Sequence, residues 1–325
     1  MHPQPRHHRY RTLGVSGFRD IHYTEWGSRK ARRTIVCVHG YSGNARDFDY
    51  LARDLSRDAR VICIDVAGRG ESDWLHSALA YHFGTFLADI EALFAHLGLK
   101  NVDWVGTSMG GLLGLMLASR PSNPIRSLVM NDVGAFLPLE ALQAIARNLD
   151  APESFASLEE VERHMRHTHR EWGELTDEQW RHFAVHGSRP TAEGFRLHYD
   201  PRIAQVAKPF PLSPGIFLWD AWYRVRCPVL LLRGEDSAVF PAAVADTMLD
   251  VKPQTELAEI PGCGHVPALM SQPQIEIVRN FLLPAADKAQ WSRQSSSSRD
   301  SSKTRTGSST RSRTSAASPT APSQT

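Results

Sequence analysis

Apolar runs and helical periodicities alternate along the first part of the chain. Thr34–His39 (TIVCVH) is a short, β-branched apolar run that stops at Gly40, and Asp47–Leu55 is spaced as a helix. Val61–Val66 (VICIDV) reads as a second buried strand, closed by the turn Ala67-Gly-Arg-Gly70. Apolar positions recur at helical spacing over Tyr81–Leu97, with Gly98 placed to stop that helix. Val102–Val105 predicts a third strand, Gly111–Ser119 a Leu- and Ala-rich helix ended by Pro121, and Ile125–Met130 a fourth strand. Strands that are apolar throughout and separated by helices predict a parallel sheet covered on both faces, the α/β class.

The alternation breaks after Asn131. Leu137 to about Trp222 gives helical signals and no strand, and is rich in aromatic residues such as Trp172, Trp180 and Phe183. Alternation then resumes, with a strand at Pro228–Arg233, a helix near Pro241–Leu249, a strand near Thr255–Ile260 and a last helix from about Pro273 to Leu283. A helical block inserted into such a chain predicts a cap, at about 135–222, over the carboxyl edge of the sheet, where ligands of open α/β sheets bind. His164, His167 and His169 fall in a charged stretch, RHMRHTHREW, without a partner carboxylate at an obvious spacing. They are expected on a solvated helix face rather than in a metal cluster.

The ends of the chain differ from the middle. Residues 1–13 are basic, lack an apolar run of the signal-peptide kind, and are expected to be flexible ahead of a domain at 14–285. A Ser/Arg-rich tail from 286 is expected to be disordered, since from Ser292 onward it has no aromatic residue and no aliphatic one larger than Ala. Six basic residues against one acidic residue make the segment from Ser292 +5, and the whole chain is +2, so residues 1–291 carry −3. The basic balance therefore belongs to the tail, and nothing in the folded part points to nucleic acid. Cys37, Cys63, Cys227 and Cys263 show no CxxC spacing, which suggests a reducing compartment and a cytoplasmic protein. No apolar stretch is long enough to span a membrane.

Candidate chemistry lies where the strands end. Gly106-Thr-Ser108-Met-Gly110 is a G-x-S-x-G motif that directly follows the strand VDWV and directly precedes a helix. That context suits a sharp strand-to-helix turn that lifts a serine above the sheet, with glycines where the backbone is crowded. The helix start points free N–H groups at the same place, where they favour a developing oxyanion. His39-Gly40-Tyr41 follows the first strong strand, so the Tyr41 N–H is a candidate second oxyanion donor beside that of Met109. His265, in the Gly-rich loop Pro261-Gly-Cys-Gly-His265, is placed to lean over the serine.

These landmarks together resemble the α/β-hydrolase superfamily, in its branch with a helical cap, over roughly Gly14 to Leu283. They comprise His39-Gly40, Asp65-x-x-Gly-x-Gly-x-Ser72, Gly106-x-Ser-x-Gly110, Asn131-Asp-Val-Gly134, the strand Pro228 to Gly234, and Gly264-His265. The resemblance implies a Ser–His–acid triad with Ser108 as nucleophile, His265 as base, and backbone N–H groups of Tyr41 and Met109 as oxyanion hole. The chain departs from the family at the acid. Members commonly carry an Asp three or four residues after the glycine that ends the PVLLLRG strand, and here those positions are Ser237 and Ala238. Asp132, after the strand that follows the nucleophile strand, is the preferred acid, as in haloalkane dehalogenase-like members; Asp236 is the alternative, with Glu235 beside it. The implied activity is cleavage of a small-molecule ester, thioester or amide through an acyl-enzyme, with a carbonyl substrate as partner and no metal or organic cofactor. A perhydrolase or lyase on the same scaffold, or a binding protein without turnover, are the rival expectations.

Overall fold

The computed structural model describes residues 4–15, 17–149, 151–206 and 215–284. The chain divides into Met1–Leu282 and Leu283–Thr325, and every element below belongs to the first unit. The tail predicted from 286 lies outside the described residues. In chain order the elements are β1 (Arg6–Gly14), β2 (Gly17–Trp26), β3 (Thr34–Val38), α1 (Asp49–Leu55), β4 (Arg60–Ile64), α2 (Phe83–Leu97), β5 (Val102–Thr107), α3 (Met109–Ala118) and β6 (Ile125–Asn131). An insertion follows, with β7 (Phe136–Pro138), α4 (Leu139–Asn148), α5 (Leu158–Thr168), α6 (Asp177–His186), β8 (Ser188–Thr191), β9 (Gly194–Leu197), α7 (Ile203–Val206), β10 (Gly215–Phe217) and α8 (Trp219–Arg224). The chain then completes the sheet with β11 (Val229–Gly234), α9 (Ala242–Val251), β12 (Glu256–Ile260) and α10 (Gln272–Leu282).

Eight strands form one sheet in the order β1-β2-β4-β3-β5-β6-β11-β12, parallel from β4 to β12 and antiparallel at β1 and β2. The inner strands are buried along nearly their whole length, as their unbroken Val, Ile and Leu runs require when helices cover both faces. β3 has β4 on one side and β5 on the other, so the chain reverses its winding between β3 and β5. The loops after β3 and β5 diverge at that point and leave a crevice. Trp104 of β5 donates from Nε1 to the Gly110 carbonyl at 3.0 Å, which locks α3 onto the strand that precedes it.

Two expectations are corrected. Residues 6–13 of the N-terminus expected to be flexible lie in β1, which pairs with β2 from Arg6↔Glu25 to Gly14↔Gly17. Only Tyr10 and Thr12 of β1 are buried, between Arg and His residues that face solvent. An edge strand protects itself with such charge, and here the charge hides the two-residue alternation. The insertion, expected to be helical throughout, also carries two small antiparallel sheets, β7 with β10 and β8 with β9. At three or four residues each, these strands are too short for alternation to show. Phe155, Val161, Met165, Trp180 and Phe183 give the insertion a core of its own, against which Met270 also packs.

Candidate active site

Ser108 sits between β5 and α3 with φ 49° and ψ −110°, a conformation that few side chains adopt. Its own N–H donates to the Asn131 carbonyl at 2.8 Å and ties the turn to the end of β6. The flanking glycines are steric requirements. A Cβ at Gly106 would meet the backbone of Gly110 and Gly111, and one at Gly110 would meet the Val38 carbonyl of β3.

Asp132 is the first residue after β6 and is fully buried, with φ 56°. A buried carboxylate is tolerable only with donors around it. The Gly234 N–H donates to Oδ1 at 2.8 Å and the Ser237 hydroxyl to Oδ2 at 2.6 Å. His265, in the loop between β12 and α10, brings Nδ1 to 2.7 Å from the same Oδ2. An ionised carboxylate only accepts, so Nδ1 carries the ring proton and Nε2 is left as an acceptor. Nε2 lies 3.1 Å from Ser108 Oγ. The structure therefore joins Ser108, His265 and Asp132 and leaves Asp236 aside. Asp236 and Glu235 are exposed, and the Asp236 N–H donates to the Cys263 carbonyl at 2.9 Å. Ser237, at the family's usual acid position, instead donates its hydroxyl to the Asp132 carboxylate. It also accepts the Phe240 N–H at 3.1 Å, which leaves its own proton for Asp132.

The peptide between Gly40 and Tyr41 is held by His39. The Val66 N–H donates to His39 Nε2 at 3.0 Å, so Nδ1 bears the proton and donates to the Gly40 carbonyl at 2.6 Å. Burial holds this imidazole neutral by lowering its pKa to about 4. In a trans peptide the N–H points opposite the carbonyl, so fixing the Gly40 carbonyl also fixes the direction of the Tyr41 N–H. Gly40 packs beside Ser108, where an added Cβ would lie 3.7 Å from the Ser108 Cβ. Met109 is the first residue of α3, so its N–H precedes the helical hydrogen-bond ladder.

A cavity of about 140 Å³ opens over Ser108 and His265. The insertion supplies much of its wall, including Ile145, Leu149, Met165, Trp172, Phe183 and Leu197. His164, Thr168 and His169 line it as well, so two of the three histidines expected on a solvated face lie at the cavity instead. A polar residue turned toward a cavity leaves the same periodicity as one turned toward solvent, and sequence pattern does not separate the two. Asp47 also borders the cavity, and burial pushes its pKa up to about 7. Among the described residues the lining contains no Lys or Arg.

One further cluster has metal-ligand chemistry. Asp49, His182 and His186 place their ligand atoms within 4.8 Å of one another, with the two histidines four apart on α6. The Asp49 carboxylate is already paired with the Arg46 guanidinium, with N–H···O distances of 2.6–3.0 Å, and the His182 Nε2–H donates to the Arg46 carbonyl at 2.9 Å. A resident cation opposes a second one at that carboxylate, so the cluster is a brace between α1 and α6.

Known proteins share this architecture. The family described as alpha/beta hydrolase fold matches residues 33–270. The chain is 35% identical over 293 residues to the 3-hydroxybutyrate-oligomer hydrolase of Cupriavidus necator, covering 88% of this chain and 100% of the relative. It is 26% identical over 251 residues to the 2-(acetamidomethylene)succinate hydrolase of Mesorhizobium japonicum, covering 76% of this chain and 87% of that one. The crystal structure of an alpha/beta hydrolase from Novosphingobium aromaticivorans superposes with a TM-score of 0.77 at 29% identity, over 85% of this chain and 98% of the other.

Proposed function

The chain belongs to the α/β-hydrolase fold family, and from that premise we propose that it is a serine hydrolase that cleaves small-molecule esters at Ser108. One observation carries the reading. Ser108 Oγ lies 3.1 Å from His265 Nε2, while the other ring nitrogen lies 2.7 Å from a buried carboxylate. In this mechanism His265 takes the Ser108 proton as Oγ attacks the carbonyl carbon, and Asp132 stabilises the imidazolium that forms. The N–H groups of Tyr41 and Met109 hold the oxyanion. His265 then protonates the leaving alcohol, and a water activated by the same imidazole hydrolyses the acyl-enzyme. Asp132 at hydrogen-bond distance from the imidazole supports turnover over a binding protein without it.

The cavity favours one substrate class. A succinate derivative carries two carboxylates, and desolvating them calls for cationic partners, of which the described lining residues include none. An ester of a neutral, mostly apolar acyl group suits the walls better, and short oligoesters of hydroxy acids belong to that class. The chemistry asks for no partner beyond such a carbonyl compound. The four free cysteines suit a reducing compartment, and among the described residues no helix is long and apolar enough to cross a membrane. The test is turnover of 4-nitrophenyl esters of graded chain length by the wild type and by Ser108→Ala. The variant should fold normally and lose at least about a thousandfold in kcat. Retention of more than a few per cent of wild-type activity would remove Ser108 as nucleophile.

A further inference from the structure

The cavity over Ser108 holds a hydrogen-bond acceptor that the chemistry above does not use. His169 caps the end of α5, with Nδ1 3.2 Å from the Met165 carbonyl and 2.8 Å from Thr168 Oγ1. The carbonyl can only accept, and the Thr168 hydroxyl proton is directed to the His164 carbonyl at 2.9 Å. Nδ1 must therefore be the protonated nitrogen. Burial lowers the ring's pKa to about 4, with His164 and His265 adding to the effect, so the ring holds a single proton at neutral pH. Nε2 is then a bare acceptor. It has no partner among the described residues, and the ring lines the same cavity as Ser108 and His265. Trp172 packs against the imidazole with ring centroids 4.2 Å apart and planes at 65°, which restricts its rotation.

An acceptor fixed in a largely apolar wall is met only by water until a ligand brings it a donor, and a ligand that displaces the water has to replace that donor. Uncharged, it offers nothing to a carboxylate, and lacking a proton at Nε2 it offers nothing to a carbonyl. A neutral donor completes it, and on the acyl chain of an ester built from carbon, hydrogen and oxygen that donor is a hydroxyl. We propose that His169 Nε2 accepts a hydrogen bond from a hydroxyl on the acyl chain, so that the site selects hydroxyacyl esters over plain acyl esters. This rests on the assignment of Ser108 as nucleophile and names the acyl group that nucleophile receives.

The experiment compares kcat/KM of the full-length protein on 4-nitrophenyl 3-hydroxybutyrate, each enantiomer separately, and on 4-nitrophenyl butyrate. Each value is normalised to the ester's alkaline hydrolysis rate. The wild type should prefer one hydroxy enantiomer by about three- to tenfold, the effect of one neutral hydrogen bond. His169→Phe keeps an aromatic ring and removes the acceptor, so the preference should fall to about one. His169→Gln returns an oxygen near the Nε2 position and should restore part of it. A histidine that only packs would, when replaced, depress both esters alike and leave the ratio unchanged, and that result overturns the proposal. A wild type without preference, whose butyrate turnover is abolished by Ser108→Ala, overturns the hydroxyl site and leaves the serine hydrolase standing. Hydrolysis of neither ester, or hydrolysis that survives Ser108→Ala, removes both.

Discussion

Asp132 gathers three donors from two parts of the chain, a glycine amide at the end of β11 with a serine hydroxyl just beyond it, and the His265 ring. Removing its charge while keeping its shape should leave the imidazole free to take the wrong tautomer, which in the serine-protease template costs about 10⁴ in kcat. Asp132→Asn should therefore lose several orders of magnitude, whereas Asp236→Asn should stay within a few-fold of wild type. Measured side by side, with melting curves to check folding, the opposite ranking would return the acid to the loop after β11. The meeting of Ser108 with His265 was legible in the sequence because each stands among glycines at a strand end, in the order that the family shares. The carboxylate that meets the imidazole was legible only as a pair of candidates. What separates them is a contact between residues 102 and 105 positions apart, Asp132 with Gly234 and Ser237, and no local spacing encodes it. The same holds for His39, whose role depends on a β4-loop amide at Val66.

Among elements, the inner strands were legible because burial on both faces demands unbroken apolar runs. Amphipathic elements were read less well, since the sequence shows that one face is polar but not what it meets. α5 is the example. Val161 and Met165 mark its buried side, while His164 and Thr168 face a cavity rather than water. β1 is the reverse case, an ordered strand beneath a charged exterior. Its Tyr10 hydroxyl donates to the Asp89 carbonyl at 2.6 Å, and the ring belongs to the main core. Deleting residues 1–14 should therefore bare the edge of β2 and lower the melting temperature by about 5 °C or more. A truncated protein that melts with the full chain would show that β1 contributes nothing to the fold.

For the molecule as a whole, buried histidines set the response to acid. His39, His169 and His186 are lowered to about 4, about 4 and about 3, each chiefly by burial. Unfolded, these rings take up protons as pH falls through about 6.5; folded, they do not until far lower. Their contribution to stability is thus fully present above about pH 6.5 and is lost as pH falls toward 4. Asp47 runs the other way. Its folded value of about 7 lies above its ordinary one, so its contribution is greatest below about pH 4 and is lost as pH rises through 7. Three groups outweigh one, and the melting temperature should drop by about 5 °C or more between pH 7.5 and pH 4.5. Asp47→Asn should steepen that drop, because the opposing contribution goes with it. A melting temperature that stays level across this range would contradict the account. The backbone at Ser108 has a different consequence. A residue held at φ 49° and ψ −110° stores conformational energy that the surrounding sheet must supply. Glycine adopts such angles without that penalty, so Ser108→Gly should melt above the wild type by a few degrees, net of the entropy that glycine adds to the unfolded chain, while being inert. Selection for heat resistance alone would then tend to erase the proposed nucleophile, and any hardened variant of this protein has to be screened for turnover at every step.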